Sequence, residues 1–93
     1  GVRIDRIKMT VKTDGGKIPI TTTEFLLLKH LMEKPGRVFK RAQLMDACKG
    51  ADNVVTDRSI DVLMVSIRKK LGAYAHLIET VRGVGYKFKD LEN

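Results

Sequence analysis

Cysteine is almost missing from this chain. Cys48 stands alone, so no internal disulfide can form and a reducing, cytoplasmic setting is the simpler assumption. Histidine is nearly as scarce, and Cys48, His30 and His76 show no close ligand spacing, so no metal is expected. No apolar run approaches the ~20 residues that cross a bilayer, and no signal peptide opens the sequence, so no membrane partner is expected. Repeats and low-complexity tracts are absent. Catalytic patterns are absent too: Ser59 and Ser66 have no His–acid arrangement near them in sequence, and there is neither a phosphate loop nor a suggestive pair of carboxylates. The sequence therefore reads as a non-enzyme with no cofactor and no small-molecule substrate.

Acidic residues are the last shortage. Eleven Asp and Glu face eighteen Lys and Arg, leaving a net charge of +7 on 93 residues. On so small a body that is a substantial positive field, and it favours a polyanionic partner, nucleic acid ahead of a membrane surface. A merely soluble basic protein is the plainer reading of charge alone. An apolar share of 43% and a charged share of 31% fit one ordinary globular domain, near the lower size limit for a single core. The chain opens at Gly1 without an initiator methionine, which suggests a piece excised from a longer protein.

The first stretch, Val2 to Ile20, alternates loosely and is rich in β-branched residues. Asp14-Gly15-Gly16-Lys17 is a turn signal between two strand-like runs, so one hairpin is expected, with Pro19 at an edge or strand end. Thr21 and Glu24 have capping-box spacing, and Phe25, Leu27, Leu28, Leu31 and Met32 give the period of a helix that ends at Pro35-Gly36. After a short extended link at Val38-Phe39, a second helix is expected from about Arg41 to Lys49, with Leu44, Ala47 and Cys48 inward. A third begins at Thr56 or Asp57 and runs to Leu71, with Ile60, Met64, Ile67 and Leu71 as its buried stripe. Its last turn carries Arg68, Lys69 and Lys70, where cations suit the helix dipole. Leu77 to Val81 and Gly85 to Phe88 then flank Arg82-Gly83-Val84 as a closing hairpin.

Strands, three helices and a hairpin make an α+β chain with the parts of a winged helix-turn-helix. In such a unit a helix can enter the major groove, and a hairpin tipped with Arg and Gly can reach an adjacent groove. Gly83 and Gly85, without side chains, would let the backbone approach sugar and phosphate closely.

Six segments carry a resemblance. They are Thr21-x-x-Glu24-Phe25-x-Leu27-Leu28, Pro35-Gly36-Arg37-Val38, Arg41-x-x-Leu44, Arg58-Ser59-Ile60-Asp61-Val62, Ile67-Arg68-Lys69-Lys70-Leu71, and the run from Glu79 through Tyr86 to Phe88. In this order, over roughly Ile18 to Phe88, the chain resembles the effector domain of OmpR/PhoB-type response regulators. The resemblance implies a transcription factor: the third helix in the major groove, the wing arginine in the minor groove, and tandem direct repeats of double-stranded DNA as target. It also implies an N-terminal receiver domain that controls homodimerisation. The loop of Gly50, Ala51, Asp52, Asn53, Val54 and Val55 would then touch RNA polymerase.

Among the residues, Arg82 is the foremost DNA contact, because a narrow minor groove attracts guanidinium and a structural role at a hairpin tip is hard to find. Gly83 and Val84 share that tip, and Thr80 and Lys87 are candidate phosphate contacts. Arg58 could meet a phosphate or pair with a nearby acid. Arg68 matches a backbone-contacting arginine of the family, or sits in a structural network with Asp61. Lys69 and Lys70 are general electrostatic contributors. Lys40 and Arg41 either clamp the flanking backbone or form a solvated face. Tyr86 is expected in the core, His30 facing solvent and His76 in a loop.

The third helix departs from the family pattern. Its outward face is expected to carry Ser59, Val62, Leu63 and Ser66, with Val65 nearby, where relatives often place His, Arg or Lys at the positions of Leu63, Val65 and Ser66. Valine and leucine can press against thymine methyls instead, so base readout should be more apolar and lean more on the wing and on DNA shape. Cys48 stands where relatives usually have tryptophan, and Lys49-Gly50 suggests a longer loop, so the polymerase contact should work differently. The rival to DNA binding is a winged helix used for protein interaction through the apolar cluster of Val62, Leu63 and Val65.

Overall fold

The computed structural model describes residues 1–50 and 55–90, and within them two three-stranded antiparallel sheets bracket three helices. Strands β1 (Arg3–Asp5), β2 (Thr10–Thr13) and β3 (Gly16–Ile18) form the first sheet in sequence order. Ile4 lies opposite Val11, and Val11 opposite Ile18, so three β-branched side chains line one face and meet the core. The hairpin expected around Asp14-Gly15 joins β2 to β3, but the first strand-like run is corrected here, because a second turn divides it into β1 and β2. The Asp5 carboxylate accepts the N–H groups of Ile7 and Lys8 at 3.0 Å each, closing a turn that holds Met9 at φ 55° and leaves Ile7 96% exposed. Pro19 directly follows β3, the strand end expected of it.

Helix α1 (Thr22–Glu33) starts at the expected capping box: the Glu24 N–H donates to Thr21 Oγ1 at 3.2 Å, and the Thr21 N–H to Glu24 Oε1 at 2.9 Å. After the helix, Gly36 at φ 84° turns the chain and donates its N–H to the Phe88 carbonyl at 2.7 Å. The extended link is strand β4 (Phe39–Lys40), and it has a distant partner. It pairs with β6 (Gly85–Phe88), which has β5 (Ile78–Val81) on its other side. Phe39 faces Tyr86 and Lys40 faces Gly85 in that register.

Helix α2 (Arg41–Ala47) follows at once, two residues shorter than expected, with Gln43 Oε1 accepting the Lys40 N–H at 2.8 Å. Helix α3 (Asp57–Leu71) is capped by Thr56, whose Oγ1 accepts the Ser59 N–H at 3.2 Å, and Gly72 ends it at φ 57°. A 3-10 turn, Gly72–Leu77, leads into β5 where the sequence suggests a loop around His76.

One core joins the two sheets to the helices. Val11, Leu28, Leu31, Leu44, Ile60, Met64 and Ile67 are fully buried, and Tyr86 and Phe88 nearly so. Tyr86 is core, as expected. His30 is not solvent-facing: it is half-buried, its ring centroid 4.6 Å from that of Phe39, because β4 brings Phe39 against α1. Gly85 needs a second correction. A Cβ there would stand 1.9 Å from the Phe39 carbonyl oxygen, so its missing side chain makes room for β4 and not for a phosphate. Gly83, at φ 77° with nothing near its absent Cβ, keeps the open position expected of it.

Candidate nucleic-acid interface

An α-helix turns about 100° per residue, and the neighbours of α3 divide it into four faces. Ile60, Met64, Ile67 and Leu71 fill the core.

A second face meets the hairpin. Asp61 Oδ1 accepts the Tyr86 hydroxyl at 2.6 Å and Arg41 Nε at 2.9 Å. These two bonds, Tyr86 first, hold the Asp61 carboxyl below its ordinary range, while burial and then Asp61 push the Tyr86 hydroxyl up. Arg68 donates Nε and Nη2 to the Ile78 carbonyl at 3.0 and 2.8 Å, and Nη2 to Thr80 Oγ1 at 2.8 Å. The guanidinium carbons of Arg41 and Arg68 stand 5.7 and 5.6 Å from the Tyr86 ring centroid. Arg41 and Arg68 therefore fix the angle between helix and wing. Of the two readings of Arg68, its bonds to β5 fit the structural network, although Asp61 is not its partner: that carboxylate lies toward α2 and β6 and serves Arg41 and Tyr86.

The third face meets the start of α1 through Glu24, which is only 2% exposed. Its Oε2 accepts the Ser66 hydroxyl at 2.5 Å, and its Oε1 accepts Lys70 Nζ at 2.5 Å in addition to the capping N–H of Thr21. Burial pushes this carboxyl up, but the bonds from Lys70, Ser66 and Thr21 outweigh it and hold it below its usual 4.5. The folded carboxyl is thus the stronger acid, so its contribution to stability is complete above about pH 4.5 and is lost as pH falls through the folded value. Thermal melts should show Tm falling below that pH, and less steeply in Glu24→Gln. An unchanged slope in the variant would contradict this role.

The fourth face is open and carries Arg58, Val62, Val65 and Lys69, with the valines 64% and 61% exposed. Beside it a groove of about 630 Å³ runs toward α1, lined by Thr21, Val55, Ser59, Val62, Leu63 and Ser66 among others. The expected outward face of Ser59, Val62, Leu63 and Ser66 is therefore rotated. Only Val62 of the four is open. The Ser59 hydroxyl lies 3.0 Å from that of Thr56, Leu63 packs against the core, and Ser66 is held by Glu24. Val65 takes the outward place. Lys70, expected as a general cation, is paired with Glu24 and partly covered.

The wing tip is Arg82, Gly83 and Val84, closed by the Val84 N–H donating to the Val81 carbonyl at 3.0 Å. Arg82 is exposed and has no ion-pair or hydrogen-bond partner among the described residues, as is also true of the side chains of Arg58 and Lys69. Lys87 faces Glu79 across the hairpin, with Nζ 3.7 Å from its carboxylate, and Lys40 is exposed at the start of α2. Of the loop expected to touch polymerase, Gly50 is exposed and Val55 packs on the core, while Ala51, Asp52, Asn53 and Val54 lie outside the described residues. Sequence reasoning missed the second duty of Glu24 and the Tyr86 hydroxyl. The only available signal was that Ser66 and Lys70, four apart, share one helix side.

No group of His, Cys, Asp and Glu among the described residues could hold a metal ion, and no described helix is long and apolar enough to cross a membrane. A cationic helix face locked to a cation-tipped hairpin defines a winged-helix DNA-binding domain of a transcriptional regulator. Residues 15–88 match the family described as "Transcriptional regulatory protein, C terminal". The atypical response regulator protein ChxR of Chlamydia trachomatis serovar L2 is 40% identical over 84 residues, covering 90% of this chain and 37% of that protein. The phosphate regulon transcriptional regulatory protein PhoB of Pseudomonas aeruginosa is 38% identical over 89 residues, covering 95% and 39%. This chain thus spans less than half the length of either. Among solved structures, the Klebsiella pneumoniae RstA DNA-binding domain in complex with the RstA box superposes with a TM-score of 0.80 at 31% identity, covering 95% of this chain and 90% of that one. The DNA-binding domain of the response regulator AdeR in complex with an intercistronic region gives 0.82 at 28% identity, covering 96% and 94%. The chain belongs to this family: it is a C-terminal effector domain of the OmpR/PhoB response-regulator type.

Proposed function

We propose that this chain places α3 in the major groove of double-stranded DNA and the Arg82 tip in the neighbouring minor groove, controlling transcription as the output half of a cytoplasmic response regulator. The observation that supports this best is which cations are left free. Asp61 and the buried Glu24 pair with Arg41 and Lys70, whereas Arg58, Lys69 and Arg82 have no acidic partner among the described residues. Arg58, Lys69 and Lys40 supply phosphate contacts, and Thr80, whose oxygen accepts from Arg68, can still donate its hydroxyl hydrogen to a phosphate. Lys87 does the same on leaving Glu79. Arg41, Arg68 and Lys70 serve by positioning. A receiver domain, a homodimer on direct repeats, and contact with RNA polymerase through the loop from Gly50 to Val55 complete the reading for the longer protein; these rest on family membership.

Arg82→Ala should cost at least ~1 kcal/mol of DNA affinity in fluorescence anisotropy. Ser66→Ala should cost less, because that hydroxyl already serves Glu24. A larger loss from Ser66→Ala would reverse this division of labour. The exposed valines favour one second reading, a protein-interaction surface on α3.

A further inference from the structure

We infer that Val62 and Val65 read the 5-methyl groups of thymines, which makes α3 a detector of thymine where a helix of donors would detect guanine. This rests on the DNA-binding reading above and specifies what one helix face recognises. Base-edge recognition needs either a free donor or acceptor or an apolar surface. The polar side chains in the body of α3 are already engaged within the fold: Ser59 with Thr56, Asp61 with Tyr86 and Arg41, Ser66 and Lys70 with Glu24, and Arg68 with β5. Glu24 is decisive among these partners. By taking the Ser66 hydroxyl hydrogen and holding Lys70 Nζ it leaves the middle of the helix poor in free donors, the groups that guanine requires.

What remains open there is Val62 and Val65, 64% and 61% exposed. Three residues apart, they stand side by side on one helix surface. Arg58 lies one turn before Val62 and Lys69 one turn after Val65, so the apolar pair is flanked by free cations. That arrangement suits a duplex, whose major groove is bordered by phosphates and offers one apolar group, the thymine methyl. It does not suit a second copy of this chain, which would set the same cations of a +7 molecule against each other.

The test uses duplexes that this chain enriches from a random-sequence library, resynthesised with deoxyuridine replacing thymine one position at a time. That exchange deletes one methyl and leaves the pairing edge intact. One or two positions should weaken binding about fourfold each, the worth of one buried methyl-sized group. Val62→Ala or Val65→Ala should remove the sensitivity at its own position, whereas Arg82→Ala should leave it in place. Unchanged affinity at every deoxyuridine position overturns the inference and leaves DNA binding standing. So does a sensitivity that persists in both alanine variants, or self-association of the chain that Val65→Asp abolishes. If no duplex is enriched over the pool, the DNA-binding reading itself has failed.

Discussion

Glu24→Ala is expected to lower stability by about 3 kcal/mol, seen as a Tm roughly 12–20 °C lower for a domain of this size. Two losses combine. The capping box at the start of α1 loses its carboxylate half, and cap losses run to ~1 kcal/mol. Removing one partner of a buried ion pair costs ~3–5 kcal/mol when the other charge is trapped, but Lys70 is 28% exposed and can turn partly to water, which brings the figure down. Glu24→Gln keeps an acceptor for the Thr21 N–H and loses the charge opposite Lys70, so it should fall about halfway. Thermal and urea denaturation of both variants measure this directly. A loss under ~1 kcal/mol for the alanine variant would mean that Glu24 caps one helix and does nothing for the other.

Gly85→Ala should be about as damaging, by a different route. The new Cβ would lie 1.9 Å from the Phe39 carbonyl oxygen and 3.1 Å from Lys40 Cα, both backbone atoms with no rotamer to yield. Overpacking of this kind costs ~1–3 kcal/mol, and a backbone obstacle puts it at the upper end. The strand pair β4–β6 must part, and with it the base on which the wing stands. Gly83→Ala is the matching control, since it meets no atom and suffers only the strain of φ 77°, ~1–2 kcal/mol. Equal melts for the two variants would show that close approach to β4 is not what Gly85 is for.

The legible parts of the fold were those written in local patterns. The Thr21–Glu24 box, the stripe from Ile60 to Leu71 and the paired runs around Arg82-Gly83-Val84 each specify an element from residues within a turn or two of one another. The pairing of β4 with β6 was not legible, because two residues at Phe39–Lys40 carry no period and their partner lies more than forty positions away. The Asp5 turn was hidden by β-branched residues on both sides of it. For the site, the free wing tip could be read, but the orientation of α3 could not. A helical period gives the buried stripe, and only the position of α1 decides which flank is covered. That flank holds Ser66, which Glu24 draws inward, and so the outward face shifts to Val62 and Val65. Burial of the Tyr86 ring was foreseeable. Its hydroxyl's bond to Asp61 was not, since it joins two elements 25 residues apart.

Affinity for duplex DNA as a function of salt tests the central claim most directly. A cationic face that neutralises several phosphates releases their counterions, so log affinity should fall linearly with log salt concentration, by ~0.9 per phosphate contact. With Arg58, Lys69, Lys40 and Lys87 on phosphates, the slope should be steep, near −3 to −4 by that rule, and about one unit shallower in Arg58→Ala or Lys69→Ala. A flat response, or no binding at low salt, would contradict the account.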